Sequence, residues 1–85
     1  MPKSQFSTAY KTLLATLIAA RKSAGMTQAD LAKALGKPQP FISKLERGVR
    51  RVDLIEFCAI SAALGIDPAK LFGSVVKQLP RHLEI

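Results

Sequence analysis

Cysteine, histidine and acidic side chains are all scarce in this 85-residue chain, and each scarcity closes a class of function. Cys58 is the only cysteine, so the chain can make neither an intrachain disulfide nor a thiolate zinc cluster from its own residues. With no histidine partner for it in the domain, the thiol reads as a small apolar side chain and not as a redox switch. The one histidine, His82, follows Pro80 with no second ligand or base near it in sequence. No catalytic pair, metal cluster or glycine-rich phosphate loop is present, so the expectation is a protein that is not an enzyme and has no cofactor. Long apolar runs are missing too. The most apolar stretch, Leu13 to Ala20, is far short of the about 20 residues that span a bilayer. Arg21 and Lys22 follow it directly, where a secretory signal requires small residues for cleavage. A reducing cytoplasm, with no membrane association, is the expected setting.

What the chain does have is positive charge. Thirteen Lys and Arg against six Asp and Glu give a formal net charge of +7, a strong field on a small surface that makes a polyanion the natural partner. Charge alone fits a merely soluble chain equally well, so position must decide. The length allows one domain with a single modest core. About half the residues are apolar and five Gly and five Pro are spread along the chain, which describes a globular protein and not a disordered one.

The helical signals are regular. Tyr10, Leu13, Leu14, Leu17, Ile18 and Arg21 share one face of a helix expected to start near Ser7 and end before Gly25. Thr27-Gln28-Ala29-Asp30 has the form of a capping box, which opens a second helix that stops at Gly36. Pro38 and Pro40 fit only the first turn of a helix, where backbone N–H groups have no acceptor in any case, so a third begins at about Pro38 and runs to Arg47 before Gly48. Asp53 with Glu56 caps a fourth helix ending at Leu64-Gly65, and Asp67-Pro68 opens a fifth from about Ala69 to Lys77. No alternating strand pattern appears, so the fold class is all-α. The domain is expected over residues 7–77, with a flexible N-terminal tail at 1–6 and a C-terminal tail at 78–85.

Two short helices, Thr27 to Leu35 and Pro38 to Arg47, joined by a tight turn at Gly36-Lys37, have the form of a helix-turn-helix whose second helix enters the major groove of DNA. Ala32 supplies the small side chain that a close crossing needs, and Leu31, Leu35, Ile42 and Leu45 supply a shared core. The stretch Thr27-Gln28-Ala29-Asp30-Leu31-Ala32, then Gly36, then Ile42-Ser43-Lys44-Leu45-Glu46-Arg47-Gly48 resembles the lambda-repressor/Cro-like (Xre-like) helix-turn-helix family. Leu64-Gly65-Ile66-Asp67-Pro68 and Leu71-Phe72 are similar to the way these five-helix domains end, so the resemblance covers about residues 10–73.

The resemblance implies roles for matching positions. Gln39, Pro40, Ser43 and Lys44 lie on the leading face of the third helix and are the expected base contacts: Gln39 can pair with adenine and Lys44 with guanine, although either can turn to phosphate. Ser43 can serve either base type, and the Pro40 ring can touch a thymine methyl. Thr27, Gln28, Lys37, Arg47, Gly48, Arg50 and Arg51 are the expected phosphate contacts, Gln28 at a helix N-terminus and Gly48 through an open backbone N–H. Arg21 and Glu46 correspond to a partly buried ion pair, which assigns Arg21 to structure. Pro38 departs from the pattern, because the family usually places a Ser or Thr hydroxyl there as a cap.

The fourth helix carries two apolar stripes, Leu54, Phe57, Ser61 and Leu64 on one side and Ile55, Cys58, Ala59 and Ala62 on the other. Only one can face the core. Either the segment from Val75 to Ile85 or a second copy of the chain covers the other, and a two-fold homodimer through Ile55, Cys58, Ala59 and Ala62 is the expectation. Such a dimer sets two recognition helices about 34 Å apart on a palindromic operator. The expected function is sequence-specific binding of double-stranded DNA by a transcriptional repressor acting through promoter occupancy, with no small-molecule ligand. The competing class is an antitoxin-type module that binds DNA and, through the tail Leu79 to Ile85, a protein partner.

Overall fold

The computed structural model describes residues 7–83, and among these every regular element is an α-helix. The expected tail at 1–6 lies outside the described residues. We number the helices α1 (Thr8–Ser23), α2 (Gln28–Ala34), α3 (Gln39–Glu46), α4 (Leu54–Ala63) and α5 (Pro68–Gln78).

Each start follows from a local donor problem, since the first backbone N–H groups of a helix have no intrahelical acceptor. At α1 the Ser7 hydroxyl accepts the N–H of Tyr10 at 3.1 Å. At α2 the box is reciprocal: Thr27 Oγ1 accepts from the Asp30 N–H at 3.0 Å, and Asp30 Oδ2 accepts from the Thr27 N–H at 2.9 Å. Asp53 and Glu56 repeat it at α4, at 2.7 and 3.0 Å. Asp67 caps α5, and Pro68 occupies its first turn. Helix α3 is the exception. Pro38 is its N-cap and offers no side-chain acceptor, so the helix begins at Gln39 with the Phe41 N–H turned back to the Pro38 carbonyl at 3.0 Å.

The turn that joins α2 to α3 depends on Gly36, whose φ of +69° is a left-handed conformation that side-chain-bearing residues adopt at a cost. It lets the Lys37 N–H reach the Ala32 carbonyl at 2.9 Å, which closes α2 within a single residue. That corner sets α3 across α2, the closest helix pair in the fold. Ala32 is 2% exposed at the crossing.

The core gathers Tyr10, Leu14 and Leu17 from α1, Leu31 and Ala32 from α2, Ile42 and Leu45 from α3, Phe57, Ile60 and Leu64 around α4, and Leu71 from α5. Leu13, Leu35, Phe41 and Val52 pack at its margin. Two expectations about α4 need correction. Leu54, placed in the core stripe, is 66% exposed, whereas Ile60, in neither stripe, is 2% exposed. The helix is apolar almost all round, so its sequence carries no period from which to choose a face. Helix α5 packs on both α1 and α4, and Gln78 Nε2 reaches Thr16 on α1 at 3.3 Å. The described C-terminal segment leaves Ile55, Ala59 and Ala62 exposed and Cys58 half-buried.

Candidate nucleic-acid interface

Helix α3 is buried along one side only. Ile42 and Leu45 are 0% and 2% exposed, and their spacing of three fixes which way the rest of the helix points. Gln39, Pro40, Lys44 and Arg47 are exposed and Ser43 is half-buried, so the four residues expected to meet bases share the side away from the core, with Gln39 toward one flank.

That flank holds the best-defined polar structure in the molecule. Arg21, at the end of α1, donates from Nε to Glu46 Oε2 at 2.7 Å and from Nη2 to Glu46 Oε1 at 3.1 Å, while Nη1 closes the α1–α2 turn on the Met26 carbonyl at 2.8 Å. The two side chains are 9% and 6% exposed, so the planar guanidinium fork meets the carboxylate out of water. Glu46 Oε1 also accepts from Gln28 Nε2 at 2.9 Å, and Gln28 Oε1 accepts from Gln39 Nε2 at 3.3 Å. Gln39 and Glu46 sit two turns apart on one edge of α3, about 10.5 Å along the axis. Gln28 spans that gap from the first turn of α2. The Gln28 amide, expected on phosphate, is thus already engaged on both its oxygen and its nitrogen, although Nε2 carries a second hydrogen.

The expected phosphate contacts divide into several environments. Lys37 is exposed, with Nζ 5.5 Å from the centre of the Phe41 ring. Arg47 is exposed and its Nε donates to the Ser43 carbonyl at 3.3 Å. Arg50 lies over the same ring, 4.5 Å from the Phe41 centroid, and pairs with Glu56 at 2.9 Å. Arg51 lies 4.4 Å over the Tyr10 ring, whose hydroxyl accepts the Val52 N–H at 3.0 Å. The Thr27 hydroxyl is taken by its own helix. Gly48 requires a correction: its N–H is not open but donates to the Leu45 carbonyl at 3.1 Å. The residue is buried with φ +77°, so it closes α3 and lets Val49 bond back to Lys44.

Phe41, Tyr10 and Glu56 were not among the expected site residues. An aromatic face holds a guanidinium over it by attraction to the ring's electrons, and for Arg50 and Arg51 that hold depends on aromatic partners well separated in sequence. Among the described residues every acidic side chain has a hydrogen-bond partner in the chain itself: Asp30 with Thr27, Glu46 with Arg21, Asp53 and Glu56 with each other's backbone, Asp67 with Ala69. The carboxyl of Asp30 is held below the usual range, first by the Thr27 backbone N–H, then by the Thr27 hydroxyl, with Lys33 adding a smaller pull.

Among the described residues no group of His, Cys, Asp or Glu is arranged to hold a metal ion, and no helix is long and apolar enough to cross a membrane. A family model described as Helix-turn-helix matches residues 17–71. The chain is similar to the solved structure of an XRE-family like protein from Pseudomonas syringae pv. tomato str. DC3000, at 41% sequence identity and a TM-score of 0.82, covering 92% of this chain and 95% of that one. It is also similar to the clp gene regulator ClgR from C. glutamicum, at 26% identity and a TM-score of 0.73, covering 87% of this chain and 96% of that one. No functionally curated protein matches it significantly.

Proposed function

This chain belongs to the lambda-repressor-like (Xre-like) helix-turn-helix family of DNA-binding regulators, and from that premise we propose that it is a sequence-specific repressor. It acts in the cytoplasm as a homodimer on a palindromic operator and works by occupying a promoter, not by catalysis. The observation that carries this reading is the exposed side of α3, where Gln39, Pro40, Ser43 and Lys44 project together from a helix anchored by Ile42 and Leu45. An exposed row of this kind enters the major groove, which is wide enough for one helix and its side chains. Gln39 reads an adenine edge, Lys44 reads guanine O6 and N7, and Lys37, Arg47, Arg50 and Arg51 hold phosphates on either side.

Selection of preferred sites from random duplexes, followed by titration of the winner against scrambled DNA, tests the reading. The expected winner has two inverted half-sites one helical turn apart, and binding falls steeply with salt as counterions are released. Lys44→Ala is expected to cost about 1–3 kcal/mol on the selected site and far less on scrambled DNA. Equal losses on both would reduce Lys44 to a phosphate contact, and failure to enrich any sequence would remove the repressor reading.

A further inference from the structure

The side chain of Glu46 is only 6% exposed, yet its carboxylate stands at the head of a hydrogen-bonded series that ends on the side chain assigned to base reading. A carboxylate has no hydrogen to give, so whatever meets Glu46 Oε1 must donate. Gln28 therefore has to present its amide nitrogen to Glu46, and its oxygen is left facing Gln39. An oxygen can only accept, so Gln39 has to present its own nitrogen to Gln28. One fixed charge thus sets the direction of two amides that would otherwise be free to flip, and Arg21 holds that charge in place with two bonds of its own.

The consequence lies in what Gln39 has left to offer. Its amide carries two hydrogens and one accepting oxygen, and Gln28 takes one hydrogen. One donor and one acceptor remain. Adenine presents an N6 donor beside an N7 acceptor in the major groove and matches that remainder, whereas guanine presents two acceptors, O6 and N7. A free glutamine has two hydrogens with which to approach guanine; this one has a single hydrogen, and its oxygen faces O6.

We propose that Glu46 is a specificity-determining positioning residue, whose carboxylate fixes the polarity of Gln28 and Gln39 and thereby makes the protein reject guanine where Gln39 reads adenine. The inference rests on Gln39 being a base reader, and its test separates the two claims.

Binding of the full chain is measured on four versions of the selected operator that differ only at the base pair which Gln39→Ala renders indifferent. The wild type is expected to favour adenine over guanine there by about tenfold or more, the scale of one bidentate pair. Glu46→Gln replaces an obligate acceptor by an amide that can face either way, and is expected to cut the adenine-to-guanine ratio about fivefold or more. Because that variant leaves Arg21 without its charge partner, a second one replaces both members, Arg21→Met with Glu46→Met, which fills the space without a buried charge; its ratio should fall equally. Gln28→Met, which breaks the series in the middle, should do the same. A ratio cancels any uniform weakening from a lost phosphate contact or from lower stability, and thermal melts identify the folded variants. If Gln39→Ala flattens one position while all folded variants keep the wild-type ratio, Glu46 sets no polarity and the inference is overturned on its own. If Gln39→Ala changes no base preference, Gln39 is not a reader and both claims fall together.

Discussion

Two glutamates in this chain each pair with an arginine, and burial separates what they are worth. Glu46 and Arg21 have side chains 6% and 9% exposed, whereas Glu56 and Arg50 are 25% and 39% exposed. Removing one partner of a buried pair leaves an uncompensated charge out of water, so Glu46→Ala is expected to lower the unfolding free energy by about 3–5 kcal/mol. A pair with solvent beside it contributes about 0.2–1 kcal/mol, and salt weakens it further. Glu56 also receives the Asp53 N–H in a capping box, so Glu56→Ala is expected to cost about 1–2 kcal/mol from both sources together. Urea unfolding of the two variants side by side checks the ordering; equal losses would mean that the Arg21–Glu46 pair is no better shielded than its surface counterpart. For DNA binding the ordering reverses in interest. Arg50 is held between Phe41 and Glu56, so Glu56→Ala frees a guanidinium already placed beside the reading helix.

At the scale of the helix, α2 shows why local signals are legible in the sequence while the side-chain contacts that join α2 to α3 are not. Seven residues cannot hold a helix in water by propensity, so α2 depends on its cap and on Leu31 and Ala32 in the core. The cap involves neighbours three apart in sequence, which is why Thr27 and Asp30 mark it in the sequence itself. The same holds for the ends marked by Gly36 and Gly48. By contrast Gln28, Gln39 and Glu46 meet only because the Gly36 corner folds α3 across α2, and nothing in their spacing shows that a glutamine expected on phosphate bridges the other two. The error over Leu54 and Ile60 has the opposite origin: α4 offers too many apolar residues, not too few. The α2 cap gives a prediction with a definite sign. Thr27→Ala should cost about 1 kcal/mol, because the Asp30 N–H loses its acceptor. Asp30 has its carboxyl lowered in the folded protein, so the stability it adds is present above its ordinary unfolded value and is lost as pH falls through the folded one. Asp30→Asn should therefore be less stable than the wild type at neutral pH, with the gap closing on the acid side. Thermal melts from pH 7 down to pH 2 follow it; a gap that stays constant would exclude the carboxylate as its source.

The whole molecule measures 35 × 28 × 20 Å, and that size bears on how it can occupy DNA. Recognition helices about 34 Å apart require each to lie about 17 Å from a two-fold axis, a distance that a protomer of this width provides if the axis runs along one flank. Four of the six large apolar side chains that stand exposed among the described residues belong to α4 and the α5 packed on it: Leu54 is 66% exposed, Ile55 76%, Phe72 45% and Val76 48%. Glu56 is the only charge on α4, and it turns toward Arg50. Large apolar side chains exposed on two adjoining helices of so small a protein are costly to leave in water, and self-association is a symmetric way to cover them. Light scattering at micromolar concentration is expected to give twice the 9.2 kDa chain mass. Ile55→Asp places an unpaired carboxylate in the contact, so the variant should scatter as a monomer, stay folded because Ile55 supports no core while losing the concentration-dependent part of the wild-type melting temperature, and bind a full operator no better than a half-site. A wild type that stays monomeric at high micromolar concentration, or an Ile55→Asp variant that binds the full operator as tightly as its parent, places the two-fold somewhere other than α4.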